Sequence, residues 1–388
     1  MHQFVDTYNM WMVAAVWMLL AAVSAFIAIR VKMPAALVEI VIGMIAGNLI
    51  ALRTNAWIDF VAGFGSILLT FLAGAEIDPA VLRRQLLPST AIGAASFGAP
   101  FLAAMAFTYF FGHWTLDASK IAGIAMSTTS VAVVYAVMVE SGLAGREFGQ
   151  LILAACFFTD LGTVVALGLL FANYNLWLAA LAAAIVAAVA IVPRFLPRVI
   201  DRTRRYVSEP ALRVLFGVIF LLAALATYAK SEGVLPAYFL GLGCAGLMMA
   251  YPDVKRRLQT MTMTLLAPFY FLKAGTYIEF SAAIGGAGLI AAMFFVKVVA
   301  KIVGVFPLAR CVFRYPSSNA NYLTLMMATG LTFGTISSLY GLTHHYIDEA
   351  QYTTLVTVVI LTAVVPTAIA QALFKPSEEP EEMEAEVP

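Results

Sequence analysis

The sequence predicts an all-α polytopic membrane protein with about 13 transmembrane helices, built as inverted repeats with two interrupted helices. Three observations predict it. Of the 388 residues, 62% are hydrophobic and only 12% charged, whereas a soluble domain carries roughly 45–50% apolar residues and about 25% charge. Too little polar surface remains to cover a water-soluble globule. No Asp, Glu, Lys or Arg interrupts residues 7–29, 85–116 or 161–193, and each run is long enough to cross a bilayer. Finally, clusters of hydroxyl residues fall in the middle of two otherwise apolar segments.

Hydropathy punctuated by Pro, Gly and charge places spans near 10–29, 34–51, 57–75, 90–112, 119–139, 148–172 and 176–195. A second set follows near 210–229, 234–250, 261–278, 284–309, 319–340 and 351–374. The first span has no Lys or Arg before it and no small-residue cleavage site behind it, so it reads as a retained helix and not as a signal peptide. The connecting loops are too short for a soluble domain, which leaves function among the helices. The three cysteines, Cys156, Cys244 and Cys311, are far apart and show neither metal-ligand spacing nor a disulfide framework. His344 and His345 read as a solvated loop pair.

Charge sets the orientation. Loops after odd-numbered spans hold 16 Lys or Arg, while those after even-numbered spans hold only Arg53, Lys120 and Lys230. This asymmetry places the N-terminus outside and the C-terminus in the cytoplasm, as an odd number of spans requires. Arg213 opens span 8 beside a basic loop, where it can snorkel. Lys273, Lys297 and Lys301 lie inside apolar segments, where a charge is costly and is a functional candidate by default. Among the acids, Glu39 lies about a turn and a half into span 2, while Glu76 and Glu140 lie near helix ends, and capping or snorkelling is expected of all three. Asp160, in the run Cys156-Phe157-Phe158-Thr159-Asp160, is central in span 6.

Span 5 carries Ser127-Thr128-Thr129-Ser130 at its midpoint. Span 12 carries Thr329-Gly330-Leu331-Thr332-Phe333-Gly334-Thr335, followed by Ser337-Ser338. Hydroxyls satisfy backbone groups freed where a helix is interrupted at membrane depth; small residues also permit close helix packing. Spans 5 and 12 correspond if spans 1–6 and 8–13 are repeats, and an odd offset makes those repeats inverted. Interruptions at corresponding places in inverted repeats point to a transporter's binding site.

The chain resembles the bacterial monovalent cation:proton antiporters of the Kef and Nap kind over about residues 10–375. The resemblance is carried by Met33-Pro34 with Glu39, Gly43 and Gly47, and by Phe71 through Glu76. Thr129-Ser130-Val131, Thr159-Asp160, Ala267-Pro268-Phe269 through Gly275, and Lys301 with Gly304 complete it. It implies a Na+/H+ antiporter-like fold, a homodimer in the inner cell membrane, a dimer lobe near 10–75 and 210–278, and a mobile core lobe near 90–172 and 284–374. Residues 176–195 would link the lobes, and 376–388 would form an acidic, disordered cytoplasmic tail.

By the same resemblance Asp160 is the ion-binding carboxylate and Thr129 the threonine beside it, while the hydroxyls of Thr159 and Ser130, next to them in sequence, can add oxygen ligands. Lys301 is its charge partner, with Lys297 a turn away on the same face, and Thr329 and Thr332 mark the crossing in span 12. Electrogenic relatives carry two adjacent aspartates where this chain has Thr159-Asp160, which removes the usual partner of Lys301.

One carboxylate that takes either a cation or a proton, and crosses only when occupied, makes exchange obligatory. The expected cargo is Na+, or K+ or Li+, against H+, one for one and electroneutral, with no cofactor, enzymatic activity or nucleic-acid partner. Two alternatives are a Na+-coupled organic-anion symporter, with Lys273 or Lys297 meeting the anion, and a K+ efflux system. No GxGxxG fingerprint follows a strand, so nucleotide gating within these residues is not expected.

Overall fold

The computed structural model describes residues 9–31, 33–50, 52, 54–75, 85–143, 146–171, 176–203, 206, 208–229 and 233–376. Glu76, the side chain of Glu140 and the acidic segment 377–388 lie outside the described residues. Everything regular in the described residues is helical. The order is α1 (Met10–Val31), α2 (Ala35–Ile50), α3 (Ala56–Ala75), α4 (Leu86–Phe110), α5 (Leu116–Ser127), α6 (Val131–Glu140), α7 (Glu147–Leu170), α8 (Leu176–Thr203) and α9 (Pro210–Tyr228). Next come α10 (Val234–Gly243), α11 (Ala245–Ala250), α12 (Pro252–Met261), α13 (Ala267–Thr276), α14 (Phe280–Gly285), α15 (Ala287–Pro307), α16 (Ser317–Met327), α17 (Thr332–Thr343) and α18 (Glu349–Leu373). One wide turn, Thr262–Leu266, joins α12 to α13, and another, Leu308–Val312, continues α15. Among the described residues nine helical segments are long and apolar enough to cross a membrane.

Helix starts follow local chemistry. The Asn55 side chain accepts from the Ile58 amide at 2.9 Å and Asp59 occupies the first turn of α3, both favourable at a positive helix N-terminus. Thr115 caps α5 by accepting from Ala118 at 3.2 Å. Asp348 and Gln351 form a reciprocal capping box at α18. Pro210 and Pro252 sit in the first turns of α9 and α12, where a missing N–H costs nothing.

Glycines then decide which helices approach most closely. A methyl group on Gly43 of α2 would strike the Leu272 carbonyl of α13, and one on Gly275 would strike the Ile40 carbonyl. Gly74 of α3 and Gly241 of α10 stand in the same relation to Tyr238 and Phe71. These are the contacts that the glycines of span 2 and the Phe71–Ala75 motif serve. Glu39 lies four residues before Gly43 on this packed helix and is buried, which corrects the expectation that it caps or snorkels.

Helices α1, α2, α3, α10 and α13 pack on one another, as do α4–α7 with α15–α18, while α8 runs against α9 and α10. On α8 the buried residues are Leu181, Val192, Leu196 and Ile200. Much of its remaining apolar surface, including Leu176, Val186, Ile191 and Phe195, is exposed, as lipid contact requires. Contacts between the two groups include the Tyr352 hydroxyl of α18 donating to the Ala274 carbonyl of α13 at 2.7 Å.

Candidate functional site: the meeting of two broken helices

The four hydroxyls of span 5 and the Thr-Gly-Leu run of span 12 both fall where regular helix is interrupted. Thr128 follows α5 with φ −63° and ψ 150°, and Leu331 precedes α17 with φ −153° and ψ −78°. The two breaks meet directly. The Ser130 amide donates to the Thr329 carbonyl at 2.9 Å, and the Thr129 hydroxyl donates to the Met327 carbonyl at 2.7 Å. Remaining hydroxyls satisfy carbonyls at the ends of the half-helices: Ser127 bonds Ile124 at 2.7 Å, Thr128 bonds Ala125 at 3.0 Å, and Thr329 bonds Met326 at 2.8 Å. Ser130 accepts from the Val133 amide at 3.5 Å as α6 starts, and half-buried Thr332 opens α17. Interrupted backbone at this depth is sustained by such partners.

Two fully buried lysines of α15 serve this crossing. The Lys301 ammonium donates to Ser96 Oγ at 2.8 Å, to the Ser127 carbonyl at 2.8 Å and to Thr129 Oγ1 at 3.0 Å. A cation at the C-terminus of α5 compensates the negative end of that half-helix. One turn earlier, the Lys297 ammonium donates to Thr362 Oγ1 of α18 at 3.1 Å. It occupies the space left by the missing side chain of Gly330, where a Cβ would collide with it. The pair therefore shares a helix face yet divides the breaks, Lys301 taking the first and Lys297 the second.

Asp160 lies on α7, which packs against α5, α16 and α17. It is 2% exposed. Its Oδ1 is buried without a hydrogen-bond partner among the described residues. The ion pairs among the described residues involve other groups. A buried carboxylate oxygen in that condition is costly unless a proton or a cation occupies it. Next to it, the Thr159 hydroxyl donates to the Cys156 carbonyl at 2.6 Å, which leaves its oxygen lone pairs free to face a cation. Tyr238 of α10 packs on the same helix: its hydroxyl donates to the Phe157 carbonyl at 3.3 Å, its ring stacks on Phe157, and it makes an edge contact with Phe333 of α17.

The structure thus gathers Thr129, Ser130, Thr329 and Lys301 at one crossing, with Lys297 beside it and Asp160 on an adjoining helix. Ser96, Thr362 and Tyr238 are additional members that the sequence did not single out. A lone hydroxyl in an apolar helix is too common to signal a site, and their partners lie 65 to 205 residues away.

Comparison with known proteins places the arrangement. The family model described as "sodium/hydrogen exchanger, transmembrane" matches residues 17–375. The chain belongs to this family. It is 23% identical over 376 residues to a Na+/H+ antiporter of Enterococcus hirae, covering 91% of this chain and 95% of that one. It is 28% identical over 315 residues to the ammonium/H+ antiporter subunit AmhT of Alkalihalophilus pseudofirmus, covering 75% and 76%. The sodium proton antiporter MjNhaP1 of Methanocaldococcus jannaschii superposes with a TM-score of 0.68 at 16% identity, over 93% of this chain and 97% of that one. The last likeness establishes a shared fold for this member of the exchanger family.

Proposed function

We propose that this exchanger carries Na+ one way and H+ the other on a single carboxylate, Asp160. The observation that carries the proposal is the buried, unpartnered Asp160 oxygen at a crossing of broken helices. Family membership and the names of the relatives matched favour cation–proton exchange over organic-anion symport.

Asp160 binds the cation. Hydroxyl oxygens of Thr129 and Thr159 and carbonyls at the two breaks, each with a lone pair left beside any hydrogen bond it accepts, complete an oxygen shell suited to a hard monovalent ion. A proton neutralises the same oxygen when the cation leaves. Lys301 stays with the first break and holds it open, and Lys297 does the same for the second. Helices α4–α7 and α15–α18 move as a core against a lobe of α1–α3 and α9–α13, with α8 as the link and a second copy docked on that lobe. The bare carboxylate is the state that does not cross, because nothing offsets its charge in a low-dielectric interior. The basic loops face the cytoplasm.

The test is Na+-driven proton movement in sealed vesicles, for wild type and Asp160→Asn, with and without valinomycin and K+ to clamp the potential. The account expects exchange in wild type that the clamp leaves unchanged, and its loss in the variant. Full exchange by Asp160→Asn overturns the role of Asp160, and a clamp-sensitive rate overturns one-for-one stoichiometry.

A further inference from the structure

A crevice of about 130 Å³ opens between the two helix groups, lined by Ser66 of α3, Tyr270 and Lys273 of α13, and Ile336, Tyr340 and Thr343 of α17. It lies towards the end of α17 that precedes the loop 344–348, a loop without Lys or Arg and therefore external by the charge asymmetry. Packed side chains connect its wall to the helix that carries Asp160. Ile336 is one turn from Phe333, whose ring meets Tyr238, and the Tyr238 hydroxyl reaches the carbonyl of Phe157, one turn from Asp160.

A lysine in this position is a paradox for a cation pathway, since its charge repels the cargo. The structure resolves it. Lys273 Nζ lies 2.7 Å from the Asp59 carboxylate of α3, and the lysine side chain is 10% exposed against 45% for the aspartate. Both partners belong to the same helix group, so the pair does not fasten one group to the other.

We propose that the crevice is the external access route for the cation and that the Lys273–Asp59 pair sets the affinity with which cations are drawn into it. This rests on the exchange reading above. Paired, the two charges cancel at a distance and the mouth is nearly neutral to an arriving ion. Losing the lysine leaves a bare carboxylate at the mouth and losing the aspartate leaves a bare ammonium, and each charge acts on a cation within a Debye length.

The two halves of the pair therefore predict opposite shifts, which a structural ion pair does not. Initial rates of 22Na+ uptake by acid-loaded right-side-out vesicles give the external KM, and everted vesicles give the cytoplasmic KM. Lys273→Met should lower the external KM for Na+ by about threefold to tenfold, and Asp59→Asn should raise it by a similar factor. The double variant Asp59→Asn/Lys273→Met should return near wild type, and all three should leave the cytoplasmic KM unchanged. Added choline chloride should shrink both shifts through screening. Rates are normalised to monodisperse protein extracted from the same vesicles, so poor folding alters the maximal rate and not the sign of the KM shift. Shifts of the same sign, shifts equal on both faces, or no shift overturn the inference. Absence of any Na+-coupled proton movement in wild type instead overturns the exchange reading on which it rests.

Discussion

Replacing Lys301 with Met removes the donor shared by Ser96 Oγ, the Ser127 carbonyl and Thr129 Oγ1, all within 3.0 Å of its ammonium. The two hydroxyls can turn to other acceptors, but the Ser127 carbonyl at the end of α5 loses a charged donor in a buried setting. Breaking one partner out of a buried charged network costs about 3–5 kcal/mol, partly offset here because the lysine's own desolvation cost disappears with it. Unfolding entropy near ~2.1 cal/mol/K per residue makes ~0.8 kcal/mol/K for a chain of this length, so a loss of about 4 kcal/mol lowers the melting midpoint by about 5 °C. The assay is thermal unfolding in detergent followed by intrinsic fluorescence, paired with vesicle exchange well below the midpoint. Lower melting with exchange retained is the expected pattern. Unchanged melting with exchange abolished would refute the assignment of Lys301 to the helix break and return it to the ion.

Two other expectations follow from the geometry. Gly330→Ala pushes a Cβ into the Lys297 ammonium and against Thr128, so it should destabilise by about 1–3 kcal/mol through overpacking. In a Lys297→Met background the same substitution should cost much less in the same melting assay, and simple additivity of the two would contradict the contact. Tyr238→Leu removes the hydroxyl bond to Phe157 and the stacked rings. It should alter the maximal exchange rate more than the Na+ KM in the vesicle assay, because Tyr238 seals the route and does not bind the ion; a large change in KM alone would place it in the ion shell.

Much of this was legible in the sequence because its signals are local. Hydrophobic runs, the charge asymmetry and the hydroxyl clusters each lie within one helix, and Asp160 stands out because a lone carboxylate in mid-span is costly. What was not legible depends on chain segments brought together from a distance. The choice between Lys297 and Lys301 stayed open at i,i+4 spacing, and only the packing of α15 against α4, α5 and α18 shows that each lysine has its own break. Lys273 made no sense alone, since Asp59 lies more than two hundred residues earlier on another helix. Glu39 differs from its expectation for a related reason: a carboxylate a turn and a half into its span could reach water, but the glycine-mediated approach of α2 to α13 accompanies its burial.

The central claim is that one carboxylate holds either a cation or a proton. The most direct test is the pH dependence of the Na+ KM, measured by initial rates at fixed ionic strength. Where the proton competes, lowering the pH by one unit should raise the apparent KM about tenfold, a slope of one decade per unit, while the maximal rate at saturating Na+ stays constant. A slope of two would require a second proton, and a KM independent of pH with a falling maximal rate would show that the proton and the cation use different groups.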